Sequence, residues 1–279
     1  MRVVVTRPIQ EANSWVDALQ AAGHDAVALP LIDIRPSDNH LDIQQVWKNL
    51  PNFSAVMFVS SNAVSHFFCN RPPLTSGGQV AIPPIRAWAT GPGTRAALVR
   101  QGWAERLIDC PSDDAMQFDS EALWDIVKHQ VHAGDKVLFV RGESQKPLRQ
   151  PGDAEQAIVH TGIAKRTGAA GRDWLAENVR NARATPFSCI SYFRCSPIWT
   201  IAQKQTAQQS AGKLSTWLFS SSEAIDNLTD LMPSQNWLGA SAVVTHPRIS
   251  ERAKKCGFGR VELTRPTIPD VLASIELWA

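Results

Sequence analysis

The residues of this chain best suited to chemistry are hydroxyls, glycines and arginines at the ends of short apolar runs. Thr6-Arg7 follows Val3-Val4-Val5, Ser60-Ser61-Asn62 follows Phe58-Val59, and Thr90-Gly91-Pro92-Gly93-Thr94 follows Ala87-Trp88-Ala89. Arg141-Gly142, Ser220-Ser221-Ser222 and Thr245-His246-Pro247-Arg248 close three more runs, and hardly a carboxylate occurs among them all. Backbone N–H groups, hydroxyls and guanidinium forks together suit an anionic, oxygen-rich ligand. Ser, Thr and Asn are also ordinary helix N-caps. Either role fits any single hydroxyl, whereas the whole set at one sheet edge favours an anion site.

Other chemistries are set aside by what the sequence lacks. No GxGxxG follows the first strand, no GxxxxGK[ST] occurs, and Pro92 stands where a dinucleotide loop needs a free N–H. No GxSxG elbow is present, and of the scattered histidines, read mostly as surface residues, only His246 lies at a candidate ligand edge. Five cysteines form no CxxC pair, so reduced structural thiols are expected rather than zinc or disulfides. Tyr192, the only tyrosine, sits in the expected strand Cys189–Arg194, where it is either a buried structural residue or a functional phenol.

Short apolar runs alternate with amphipathic stretches from end to end, which implies an α/β fold of doubly wound parallel sheets. Strands are expected at Val3–Thr6, Ala55–Val59, Arg86–Thr90, Lys136–Val140, Thr216–Phe219, Ala242–Thr245 and Arg260–Leu263. A helix is expected over Pro8–Ala22, closed by Gly23, with Trp15, Ala18, Leu19 and Ala22 on its buried face. In such sheets ligands bind beyond the carboxyl ends of the strands, where the candidate residues lie.

The chain also resembles itself. Ala87-Trp88-Ala89-Thr90-Gly91-Pro92 answers Ala242-Val243-Val244-Thr245-His246-Pro247, and each reaches Gly102-Trp103 or Gly257-Phe258 after the same number of residues. Phe58–Val64 answers Phe219–Ile225, and Val3-Val4-Val5-Thr6-Arg7 pairs more loosely with Leu138-Phe139-Val140-Arg141-Gly142. Two copies of one α/β unit follow, expected as two lobes with a cleft between them. Ser144–Ala170 breaks the pattern and reads as an exposed insertion.

A chain of 279 residues with 44% hydrophobic and 19% charged residues and a net charge of +2 suits two ordinary domains and gives no cue for nucleic acid. No apolar run approaches the ~20 residues of a membrane helix, and the first residues read as a strand rather than a signal peptide. A cytoplasmic monomer is expected.

Val3–Pro8, Leu29–Ile34, Phe58–Val64, Ala89–Thr94, Phe118–Leu123, Val140–Gly142, Gly171–Leu175, Tyr192–Arg194, Phe219–Ser221 and Thr267–Leu272, taken in order, resemble the uroporphyrinogen-III synthase family. The resemblance implies residues 1–32 and 195–279 as one lobe and residues 36–188, with an insertion at 144–170, as the other. Antiparallel connecting strands at Leu31–Arg35 and Ile190–Arg194 would join them. It implies cyclisation of hydroxymethylbilane, a linear tetrapyrrole with eight carboxylates, to uroporphyrinogen III, with loss of water, inversion of the last ring and no metal or organic cofactor. Tyr192 matches the family's candidate acid, Thr94 a cleft contact, and Ser61, Ser221 and Ser222 would cap helices facing the substrate. Thr245-His246-Pro247-Arg248 departs from the family's glycine-threonine form. The binding set is thus Thr6, Arg7, Ser60, Ser61, Asn62, Gly91, Thr94, Arg141, Gly142, Ser220, Ser221, Ser222, His246 and Arg248. The alternative is a non-catalytic two-lobed protein of the same fold that binds anions or partners.

Overall fold

Continuous apolar runs such as Val3-Val4-Val5, Val56-Met57-Phe58 and Ala242-Val243-Val244 are almost completely buried, the mark of parallel strands covered on both faces. The computed structural model describes residues 1–74, 77–145, 170–212 and 214–277. Most of the expected insertion, residues 146–169, lies outside them. The chain divides into two units, Met1–Asp33 with Cys195–Ala279, and Ile34–Arg194.

The first unit begins with β1 (Arg2–Val5), α1 (Ile9–Ala21) and β2 (Asp25–Ala28). The chain leaves it through β3 (Asp33–Pro36) and builds the second unit from α2 (His40–Lys48), β4 (Ala55–Phe58), α3 (Ser61–Cys69), β5 (Arg86–Ala89), α4 (Pro92–Arg100), β6 (Ile108–Asp109), α5 (Ser120–Val127), β7 (Lys136–Gln145), α6 (Ala170–Asn181) and β8 (Thr185–Cys195). It then completes the first unit with α7 (Ile201–Gln209), β9 (Ser215–Phe219), α8 (Ser222–Leu231), β10 (Ser241–Val244), α9 (Pro247–Cys256), β11 (Arg260–Leu263) and α10 (Ile268–Glu276).

Among the described residues the sheets run β11-β10-β9-β1-β2 and β3-β8-β7-β4-β5-β6. Every pair in the first is parallel, as are β7-β4-β5-β6 in the second. Thr185 meets Asp135, Tyr192 meets Gly142 and Arg194 meets Ser144 at one constant offset, so β8 runs parallel to β7 as well. No described helix is long and apolar enough to cross a membrane.

The two sheets are one pattern used twice, with β10, β9, β1 and β2 answering β5, β4, β7 and β8 in the same lateral order. The packing repeats with it. Phe58 meets Trp103 edge-on at 5.8 Å and 78°, and the equivalent Phe219 meets Phe258 at 5.4 Å and 77°. Edge-on pairs of this kind contribute about 0.5–1.5 kcal/mol beyond burial alone. Register corrects the loosest sequence match by one residue. Val5 pairs with Leu218 and Phe58 with Val140, so with Phe58 equivalent to Phe219, Arg7 answers Arg141 and Pro8 answers Gly142.

Other expectations shift too. Pro8 is the N-cap of α1 rather than within its first turn, and α1 buries Ala12, Trp15 and Leu19 while Ala22 is exposed. Gly23, at φ +87°, supplies the left-handed residue after the helix. β7 continues past Val140 to Gln145, and β8 starts at Thr185, well before Cys189.

Candidate functional site

At the carboxyl edge of the second unit's sheet, three residues fall in one row, on β7, on β8 and in the turn that follows β4. Phe58 pairs with Val140, so two positions on Ser60 stands against Gly142, and Gly142 stands against Tyr192 on β8. The Tyr192 side chain crosses this row, and its hydroxyl lies 3.0 Å from Ser60 Oγ. It can cross because Gly142 has no side chain: a Cβ there would sit 2.3 Å from Tyr192 Cζ. The glycine is present for close approach, not for an unusual backbone angle.

Tyr192 is only 3% exposed, and the His66 ring stacks on it at 5.6 Å and 25°. His66 is half-buried on α3, and burial lowers its pKa from 6.5, so the ring is neutral at pH 7. Sequence reasoning gave His66 no role of its own among the scattered histidines, read mostly as surface residues. The available signal was helical spacing: with α3 beginning at Ser61, His66 shares a face with Ala63 and Phe67.

Ser60 also caps α3, its Oγ accepting from Ala63 N at 3.2 Å. This corrects the expected cap, since Ser61 is the first residue inside the helix. Asn62 follows it, half-buried. Gly91 is the N-cap of α4 and has its own close neighbour, Phe118 Cβ, 3.1 Å from where a Cβ would lie. Thr94 is 5% exposed, with its N–H donating to Gly91 O. Arg141 is half-buried one residue before Gly142.

In the first unit, Thr6 is 1% exposed and its hydroxyl donates to Leu218 O at 2.7 Å, which gives it a packing role. Arg7 pairs with Glu11 at 3.1 Å and lies 4.4 Å from the Trp15 ring centroid, while its buried Nε has no hydrogen-bond partner. Burial lowers its pKa against the pull of Glu11, though a guanidinium still stays charged at neutral pH. Ser220, Ser221 and Ser222 are half-buried. Ser221 is the N-cap of α8 without a side-chain cap bond and Ser222 is inside the helix, so neither hydroxyl caps as expected. His246 caps α9 with its ring, Nδ1 accepting from Arg248 N at 3.1 Å, and the Arg248 side chain is exposed.

The row equivalent to Ser60, Gly142 and Tyr192 is Ser221, Pro8 and Leu31, from the registers of β9, β1 and β2. Leu31 is completely buried, so the phenol and its serine partner belong to the second unit alone among the described residues.

Comparison with known proteins places the chain in a family. The family model described as uroporphyrinogen-III synthase HemD matches residues 13–160, just over half of the chain. The chain belongs to the uroporphyrinogen-III synthase family. Two solved structures share the fold. A mutant uroporphyrinogen III synthase from the extremely thermophilic bacterium Thermus thermophilus matches at 10% identity and TM-score 0.55, over 100% of this chain and 98% of the other. The uroporphyrinogen-III synthetase of Helicobacter pylori matches at 14% identity and TM-score 0.55, over 99% and 100%. As a uroporphyrinogen-III synthase family member, the chain is an enzyme of porphyrin and heme biosynthesis that closes hydroxymethylbilane to uroporphyrinogen III.

Proposed function

We propose that this enzyme acts as a cyclising hydro-lyase in which the Tyr192 phenol is the general acid. The proton of Tyr192 passes to the substrate's hydroxymethyl oxygen as its C–O bond breaks. A pyrrole nitrogen lone pair supplies the electrons, and water leaves a cationic azafulvene. That cation bonds to the already substituted carbon of the last ring, giving a spiro intermediate. Its older bond to the neighbouring ring's methylene then breaks, and the new azafulvene cation so formed recloses on the last ring's other, unsubstituted α-carbon, whose hydrogen leaves as a proton. The proton lost on re-aromatisation returns to the phenolate, so the sum is substrate to product plus water.

The observation carrying this reading is the placement of the chain's only tyrosine at the sheet edge where α/β ligands bind, with its hydroxyl held by Ser60. A general acid contributes about 10²- to 10⁴-fold, whereas positioning of a flexible chain's ends can supply roughly 7–11 kcal/mol. Positioning is therefore the larger task. In the unit that carries Tyr192, the N-termini of α3 and α4, with Arg141, offer N–H donors and charge for carboxylates. We take the enzyme to work as a cytoplasmic monomer.

The test is steady-state kinetics of Tyr192→Phe with hydroxymethylbilane. Turnover should fall about 10²- to 10⁴-fold with KM little changed. Wild-type turnover in the variant would remove Tyr192 from the chemistry.

A further inference from the structure

We propose that Ser60 is a positioning residue for Tyr192, holding the phenol with its proton turned towards substrate and steadying the charge that forms when that proton leaves. The inference rests on the reading of Tyr192 as the acid.

The hydrogen-bond capacity of one hydroxyl carries it. Ser60 Oγ has one proton and two acceptor lone pairs. The Ala63 N–H occupies one lone pair at 3.2 Å, and the Tyr192 hydroxyl lies 3.0 Å away. With Ser60 donating across that contact, the tyrosine oxygen accepts and its own proton is left for a third partner. An acid needs this arrangement. After transfer, the same Ser60 O–H faces a phenolate, and hydrogen bonds to an ionised oxygen are roughly twice as strong as neutral ones. The first N–H groups of α3 stand behind Ser60 and polarise it in the favourable sense.

The surroundings keep the geometry fixed. Gly142 leaves the space through which the ring reaches Ser60, and His66 covers the ring by stacking. The first unit provides an internal comparison. Ser221 occupies the same register and the same helix start, yet Pro8 and Leu31 complete its row and it makes no side-chain cap bond. A serine at this turn is therefore not placed by helix capping alone.

The experiment measures kcat and KM for Ser60→Gly and Ser60→Thr, each with Tyr192 intact and with Tyr192→Phe. Glycine is an adequate N-cap, so the first variant removes the hydroxyl while sparing the helix. Ser60→Gly should lower kcat about 10- to 100-fold at nearly constant KM, the range of one hydrogen bond to a charged group. Ser60→Thr should restore most of it. In the Tyr192→Phe background, Ser60→Gly should cost nothing further, because its effect passes through the phenol. An equal loss in both backgrounds, or wild-type kcat in Ser60→Gly beside a slow Tyr192→Phe, overturns the role of Ser60 and leaves the acid standing. Wild-type turnover in Tyr192→Phe overturns the acid itself.

Discussion

The hydroxyl end of the Tyr192 ring occupies the space that a Cβ on Gly142 would fill, 2.3 Å from Cζ and 2.4 Å from Cε2. One missing side chain on β7 thus lets a residue of β8 reach the helix start after β4.

Gly142→Ala should therefore act on turnover without touching the phenol chemically. The new methyl displaces the ring, and a misplacement of about 1 Å can cost on the order of 10²-fold in rate. Turnover should fall by that order while Tyr192 remains present. Kinetics beside a urea midpoint separate the two effects, and an unchanged kcat would show that the ring need not lie across β7.

His66 gives a pH signature of stability. Its folded pKa is lowered by burial, so the unfolded chain binds the proton more readily. Stability should be full above the unfolded value of 6.5 and decline as pH falls towards the folded value, below which the loss is complete. His66→Phe keeps a ring beside Tyr192 and removes the titration. Urea midpoints at pH 7.5 and 5.5 should fall further in the wild type than in the variant; equal falls would contradict the assignment.

The thiols should differ in reactivity because only the thiolate is nucleophilic. Burial pushes the Cys110 pKa up to about 11 and that of Cys189 to about 12. Cys195 is buried, whereas Cys69 is exposed on α3. Brief iodoacetamide treatment at pH 7.5 followed by peptide mass mapping should label Cys69 first. Early labelling of Cys189 would mean that the second unit opens readily.

Gly259 is a stability site of the first unit. A Cβ there would lie 2.0 Å from Leu238 O, and its N–H donates to Ala240 O at 3.1 Å. Gly259→Ala should lower unfolding stability by about 1–3 kcal/mol through overpacking. Differential scanning calorimetry should record the fall; an unchanged Tm would mean that the turn yields without cost.

Much of the fold was legible because buried parallel strands announce themselves as apolar runs, and because the two sheets repeat one sequence pattern. The match of Phe58 with Phe219, and of Trp103 with Phe258, survives as matched pairs of packed rings. The first half of β8 escaped because Thr185-Pro186-Phe187-Ser188 lacks a sustained apolar run. The site was legible as residue types but not as partners. The sequence of β8 shows a tyrosine, but only the offsets between β8, β7 and β4 bring it across Gly142 to Ser60. Arg7 and Arg141 were likewise visible one by one, and only strand register makes them equivalents.

The central claim is that this chain closes hydroxymethylbilane with inversion of the last ring. Purified protein given freshly prepared hydroxymethylbilane, followed by oxidation and separation of the uroporphyrin isomers, tests it directly. Predominantly isomer III is the expected result, whereas isomer I alone, the product of spontaneous closure, would contradict the account.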